Sequence, residues 1–227
     1  MKAEPWQNWY DSFIRLYRGR DDVIAAQTEV GEYISIEGEG LTLERFLDHI
    51  QLRKTYAIYH MDDFKKVHFG LFDIDVFPRN QEWKYLLSGI EEKRKETLQI
   101  MKTLMQMGLR RQHILLEFPT VGFHLLIFFK NPVEAKQVKM LMGNVLKGSH
   151  LTHIPFYPKK IVQSPWGDRI QLPLRINRNT ARRSVFVRDL ETFDPEHYDP
   201  NPDFSVLEEV ESIPNEWIDQ WTRGITN

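Results

Sequence analysis

Two acids, Asp73 and Asp75, stand inside an otherwise apolar run, Val-His-Phe-Gly-Leu-Phe-Asp-Ile-Asp-Val at residues 67–76. Successive side chains of a β-strand point to opposite faces. The spacing therefore predicts that Asp73 and Asp75 share one face while Phe72, Ile74 and Val76 share the other. Like charges that close repel and raise each other's pKa, and burying either one unpaired is costly. A divalent cation between them removes both costs. Carboxylate oxygens suit magnesium or manganese, and magnesium typically takes one or two carboxylates and completes its shell with water and substrate phosphates. The competing reading is a strand that ends at a solvated turn, since Pro78, Arg79 and Asn80 follow directly.

His124 is the next residue able to do chemistry. It opens the run Phe-His-Leu-Leu-Ile-Phe-Phe at 123–129, sharing a strand face with Leu126 and Phe128. A histidine so placed serves either as a structural hydrogen-bonding group or as an acid, base or phosphate partner. Further on, Lys159, Lys160, Arg169, Arg175, Arg178, Arg182 and Arg183 form the densest basic stretch. It reads as a surface for a phosphate backbone or a triphosphate, or as a solvated basic hairpin. Near the start, Arg18 and Arg20 flank Gly19. They either bind phosphate or complement a helix end and pair with Asp21 and Asp22.

These residues need elements to position them. Aromatic and aliphatic residues from Trp6 to Tyr17 recur at helical spacing, with Gly19 as the expected C-cap. Thr42 is the expected cap of a short helix bearing Leu43, Phe46, Leu47 and Ile50. A strand at residues 56–59 and the run at 67–76 are expected to form a hairpin about the turn at 61–65. A long helix follows from about 82 to 107, with a charged, solvated centre at 91–96. Runs at 113–118 and 123–129 are joined by Pro119-Thr120-Val121-Gly122, which is hairpin turn chemistry, with Glu117 and His124 on either side. Asn131-Pro132-Val133-Glu134 reads as the start of a crossover helix ending at Gly148. Strands near 170–176 and 184–187 come next. A proline-rich extended linker from Asp194 leads to a tail helix near 214–221 that packs back through Trp217, Ile218 and Trp221.

Length and composition fit a globular chain: 227 residues, 41% hydrophobic, 12% aromatic, no cysteine and a net charge of −2. Zero cysteines exclude a disulfide framework and a thiolate zinc site, and suit an intracellular, cytoplasmic protein. No apolar run approaches the roughly 18 residues of a membrane span, and no signal-peptide h-region opens the chain, so no membrane partner is expected. With so small a net charge, any nucleic-acid contact must come from a local basic patch.

Taken in order, these blocks resemble the archaeo-eukaryotic primase superfamily, especially the primase-polymerase domains of mobile-element, conflict-system and CRISPR-associated proteins. The matching blocks are Tyr-Arg-Gly-Arg-Asp-Asp-Val at 17–23, Phe-Gly-Leu-Phe-Asp-Ile-Asp at 69–75, Gly-Phe-His-Leu-Leu-Ile-Phe-Phe at 122–129, and a third region. That region comprises Phe-Tyr-Pro-Lys-Lys at 156–160, Gly-Asp-Arg-Ile-Gln-Leu-Pro-Leu at 167–174 and Arg-Arg-Ser-Val-Phe at 182–186. The resemblance spans about residues 14 to 188. It implies an α+β fold, an RRM-like antiparallel or mixed sheet with flanking helices beside an N-terminal α/β unit. Residues 1–190 would be the catalytic domain and 191–227 the linker and tail.

The resemblance further implies template-directed nucleotidyl transfer from NTPs or dNTPs on single-stranded or primer-template nucleic acid, with two Mg2+ or Mn2+ ions. Asp73 and Asp75 would hold the metals. His124, with Gly122 and Lys159, would contact the nucleotide, and Arg18, Arg20, Arg175, Arg178, Arg182 and Arg183 the nucleic acid. A helicase or another replication or defence protein is the expected partner. The family's third carboxylate has no counterpart between residues 151 and 163; Asp168 is the nearest substitute and Glu117 a weaker one. That departure keeps open a catalytically weak or inactive domain that binds nucleotide or single strands. A metal-dependent glycosyltransferase is the remaining alternative, and it leaves His124 and the basic block without a role.

Overall fold

The computed structural model describes residues 5–78, 82–161 and 166–222. Its elements in chain order are α1 (Pro5–Leu16), β1 (Val23–Gln27), β2 (Tyr33–Glu37), α2 (Leu43–Ile50), β3 (Tyr56–Tyr59), β4 (Lys66–Asp75), α3 (Trp83–Gln106), β5 (Ile114–Phe118), β6 (Gly122–Glu134), α4 (Ala135–Gly148), β7 (Phe156–Tyr157), β8 (Arg169–Gln171), β9 (Val185–Phe186), α5 (Ser205–Glu209) and α6 (Asn215–Thr222). The strands form two sheets, ordered β2-β1-β3-β8 and β7-β4-β6-β5-β9. Every pairing between these described strands is antiparallel, and helices flank both sheets, so the fold is α+β. Both β6 and β7 run antiparallel to β4, so α4 is a crossover that carries the chain past β4.

The alternation read from the sequence holds in β4 and β6. Phe72, Ile74 and Val76 join Phe123, Leu125 and Ile127 in a core with the buried faces of α3 and α4. On the opposite face Phe69 and Leu71 join Leu126 and Phe128 in a second core shared with α1, α2 and the first sheet. Phe69 and Phe128 are register partners, and their ring centroids lie 5.8 Å apart, with Tyr17 at 5.9 and 5.6 Å from them. Aromatic contacts of this kind contribute about 0.5–1.5 kcal/mol each beyond area burial. This core thins toward the C-terminal end of β4, where the same face passes from Leu71 to Asp73 and Asp75.

Thr42 caps α2 as expected, its hydroxyl accepting from the Arg45 amide at 3.3 Å. Elsewhere tertiary pairing overrides the local pattern. The segments at 56–59 and 67–76 do not form a hairpin. After one bridge, Met61 to Val67, they separate, β3 pairing with β1 and β8 and β4 with β6 and β7. Gly19 is not a left-handed cap, since α1 ends at Leu16 and Gly19 has no positive φ. Its missing side chain admits the Tyr59 carbonyl, which a Cβ would meet at 2.7 Å.

The predicted helix start at 131–134 is strand. Val133 and Glu134 pair with Val67 and Lys66 beyond a bulge, and α4 begins at Ala135. The tail supplies the ladder hydrogen bonds of that stretch, with Lys130 N–H donating to Ile213 O and Ile213 N–H to Phe128 O. The charged centre of α3 is only partly solvated, because the Arg94 guanidinium binds the carbonyls of Leu190 and Phe193. The tail helix α6 forms as expected; Trp217 and Trp221 both donate to Met107 O, and Ile218 is buried. The expected turn at Arg79 and Asn80 lies outside the described residues. No helix of the described residues is long and apolar enough to cross a membrane.

Candidate active site

Three neighbouring strands place three titratable side chains in one row. Asp73 on β4 is the register partner of His124 on β6, which in turn is the register partner of Glu117 on β5. Directly opposed residues have their side chains on the same sheet face, so the row follows from register alone. His124 Nδ1–H donates to Glu117 Oε2 at 2.8 Å, and Nε2 lies 3.5 Å from Asp73 Oδ1. Asp75 stands two residues along β4 on the same face, and its register partner is Gly122. A Cβ at Gly122 would collide with the Ile74 carbonyl oxygen and come within 2.7 Å of Asp75 Cα, at a φ of +155°. Glycine is therefore what lets β6 close upon β4 beside this acid.

The β5–β6 turn is braced from outside. Val76 N–H donates to Val121 O at 2.7 Å, Asn177 Nδ2 to Pro119 O at 3.0 Å, and the Thr120 and Thr180 hydroxyls are 2.7 Å apart. Glu117 and Asp75 are only 3% and 6% exposed. Burial works against a charge on His124, but the carboxylates of Glu117 and Asp73 outweigh it and push its pKa up to about 10. Among the described residues, three carboxyl groups gather around this one imidazole, a set of oxygen and nitrogen donors of the kind that suits a cation.

Arg169 on β8 and Arg175, which follows that strand, share a cavity with the acids. A cavity of about 230 Å³ is lined by Asp73, Asp75, His124, Leu71 and Tyr157 on one side and by Arg169, Ile170, Gln171 and Arg175 on the other. Arg169 stacks on the Tyr33 ring at 4.4 Å, and Lys159 lies over the Tyr157 ring at 4.6 Å. Among the described residues neither Arg169 nor Arg175 has a carboxylate within ion-pair distance. Acids that converge on one wall, facing arginines on the other, form a place for a polyanion carried by cations.

Residues 26–221 match the family model described as the archaeo-eukaryotic primase domain of TOTE conflict systems. The chain belongs to this primase family. No curated protein matches it. Domains of the family generally use divalent metals, and the donors here fit one. One atom from each of Asp73, Asp75 and His124 lies within 4.8 Å of the others. Ligands about 2.1 Å from one ion lie at most about 4.2 Å apart, so a small side-chain rotation closes the set.

The other residues expected at this primase-family site are spread over several places. Gly122 is in it, Arg175 lines the cavity, and Lys159 borders it through Tyr157. Asp168 is not in the Asp73–Asp75–His124 group. It is 4% exposed, and its Oδ2 accepts from the amides of Lys159 and Lys160 at 2.5 and 2.9 Å, which fixes the loop that bears those lysines. Arg178 binds the carbonyls of Thr28 and Glu29; Arg182 lies over Trp83 and Tyr198; Arg183 donates to Leu174 O and Ile50 O. Each of these arginines ties loops together. Arg20 is clamped by Asp22 and Asp63, both at 2.6 Å, and with exposed Arg18 lines a different cavity of about 450 Å³.

Arg169 was named from sequence only as one of the basic stretch, and Gln171 and Tyr157 were not singled out. Their signal was their place in the third block, where alternation along β8 puts Arg169 and Gln171 on one face. Glu117 was weighed only as a metal ligand. Its position opposite His124 across a four-residue turn was the sign of its contact with the imidazole.

Proposed function

We propose that this domain catalyses metal-dependent, template-directed nucleotidyl transfer, synthesising or extending a primer from NTPs or dNTPs. The observation that carries the reading is the cavity with Asp73 and Asp75 on one wall and Arg169 and Arg175 on the other. Asp73 and Asp75 would hold the Mg2+ or Mn2+ ions. Bound ions of this kind neutralise charge that develops on attacking and leaving oxygens. Arg169 and Arg175 would meet the triphosphate, because guanidinium groups pair with phosphate oxygens in a fixed fork. Tyr157, with Lys159 above its ring, offers an apolar face and a nearby cation at the rim. Arg169 stands on β8 of the first sheet and the acids on β4 of the second, so the relative placement of the two sheets sets the distance between acids and phosphates.

The test is extension of a labelled primer, and primer synthesis on a single-stranded template, with manganese or magnesium. Product from the wild type that falls to background in Asp73→Ala supports the reading. Nucleotide or single-strand binding without product overturns it in favour of a binding domain. The position of Asp168 favours that second reading: its carboxylate is spent on backbone amides, leaving two convergent carboxylates in the described cluster.

A further inference from the structure

Arg169 on β8 and Tyr33 on β2 touch across the first sheet, although those edge strands stand three spacings of about 4.8 Å apart. Ser35, Ala25, Ala57 and Gln171 are successive register partners, and alternation puts Tyr33 and Arg169 on their face of the sheet. Ala25 and Ala57 leave room for the two long side chains to meet above β1 and β3, and both alanines are fully covered. We propose that this face of the first sheet carries single-stranded nucleic acid to the cavity, with its phosphates on Arg169, Arg175 and Arg178 and its bases against Tyr33 and Trp166. The proposal deepens the functional reading above and rests on it for calling that strand the template.

The opposite face of the sheet is closed by the core shared with α1 and α2. On the proposed face Val23, Ala25, Ala57 and Tyr59 form a small cluster against which Tyr33 and Trp166 pack, and no helix side chain joins it. Tyr59 supports both outer rings. Its ring centroid is 5.2 Å from that of Trp166, and its hydroxyl is 2.7 Å from Ser35 Oγ on the strand of Tyr33. The Tyr33 hydroxyl is buried without a hydrogen-bond partner among the described residues.

Charge selects the occupant. Burial raises the pKa of the Tyr33 hydroxyl, and Arg175, Arg169 and Arg178 all stand close enough to oppose that rise. Arg178 lies against Gly31, where a Cβ would meet its Nη1 at 2.8 Å. Among the described residues none of these three arginines has a carboxylate within ion-pair distance. Strand register brings one carboxylate to this face, Glu37, at the other end of β2 from Tyr33. Guanidinium groups beside aromatic rings suit a chain of phosphates that bears flat bases. A duplex hides the faces of its bases, so rings of this kind serve a single strand. Arg169 and Arg175 also line the cavity, so the face begins where the acids end.

Binding of a short fluorescein-labelled single strand, DNA in one arm and RNA in the other, is followed by anisotropy with the full chain in EDTA and without nucleotide. Ser35→Glu, which sets a negative charge on the exposed middle of the face, should weaken binding about 10-fold, and Ser35→Lys should tighten it about 3-fold. Ile34→Glu puts the same charge on the opposite face of the same strand and should change binding less than about 2-fold. Photocrosslinking from iodouracil placed in the strand should map to Tyr33 or Trp166. Circular dichroism shows whether each variant is folded, and Ser35→Lys carries the test if Ser35→Glu unfolds.

Folded Ser35 variants that bind like the wild type overturn the proposal, as does crosslinking confined to other surfaces. Binding that answers to the charge at residue 35 without primer extension would keep this face and remove the polymerase reading. Extension with an unaltered KM for template in folded Ser35→Glu would do the reverse.

Discussion

Asp73 and His124 are partners across β4 and β6, and their side chains meet on the sheet face turned toward the first sheet, Oδ1 and Nε2 3.5 Å apart. Residue for residue, this pairing brings an acid from one primase-family motif against the histidine of another, although 50 residues of chain separate them. On the proposed function, replacing Asp73 with Ala should reduce nucleotidyl transfer at least 100-fold, because a ligand to the ions would be lost. Stability should fall by about 1 kcal/mol, since the Asp73–His124 pairing is lost while His124 keeps Glu117. Extension assays beside denaturant titration check both halves.

Arg169 and Arg175 should behave unlike Arg183. Ala at either of the first two positions should raise the KM for nucleotide about 10- to 150-fold, the loss of one charge-assisted contact of about 1.5–3 kcal/mol, and leave the unfolding midpoint nearly unchanged. Arg183→Ala should lower the midpoint instead, because its half-buried guanidinium is donated to Leu174 O and Ile50 O. Steady-state kinetics and urea titration of the three variants separate the roles.

Gly122→Ala should be severely destabilising, on the order of 3 kcal/mol. The added Cβ runs into backbone of β4, at Ile74 O and Asp75 Cα, which has no side-chain freedom with which to yield. The same shift would displace Asp75. Chemical denaturation should show the loss, and a fully stable Gly122→Ala protein would refute the close packing described for the two strands.

His49 should make stability depend on pH. It is 1% exposed; Nε2–H donates to Pro173 O at 2.7 Å, and Nδ1 accepts from Tyr56 N–H at 3.1 Å, so the neutral ring satisfies both partners. Burial, aided by Arg175 and Arg183, outweighs the Pro173 carbonyl and Glu117 and holds its pKa at about 4, against an ordinary 6.5. Between those values the unfolded chain binds the additional proton. Its contribution is therefore complete above about pH 6.5 and is lost as pH falls toward 4, amounting to about 2 kcal/mol between pH 7 and pH 5. Urea unfolding across this range should show the decline, and His49→Gln should flatten it.

The sequence by itself determined what is local. Period-two alternation placed Asp73 and Asp75 on one face of β4, and the turn at 119–122 set Glu117 opposite His124, because a short hairpin fixes its own register. Motif order also carried the family. Only the tertiary structure decided which distant strands became neighbours, since that depends on two sheets and their helices burying complementary faces at once. It set β4 beside β6 across the whole of α3, and drew β3 away from β4 into the first sheet. It also turned Asp168 to the amides of Lys159 and Lys160 and swung Arg169 and Arg175 to face the acids. Which residues complete the Asp73 and Asp75 site was thus a matter of packing between sheets, which spacing along one strand cannot express.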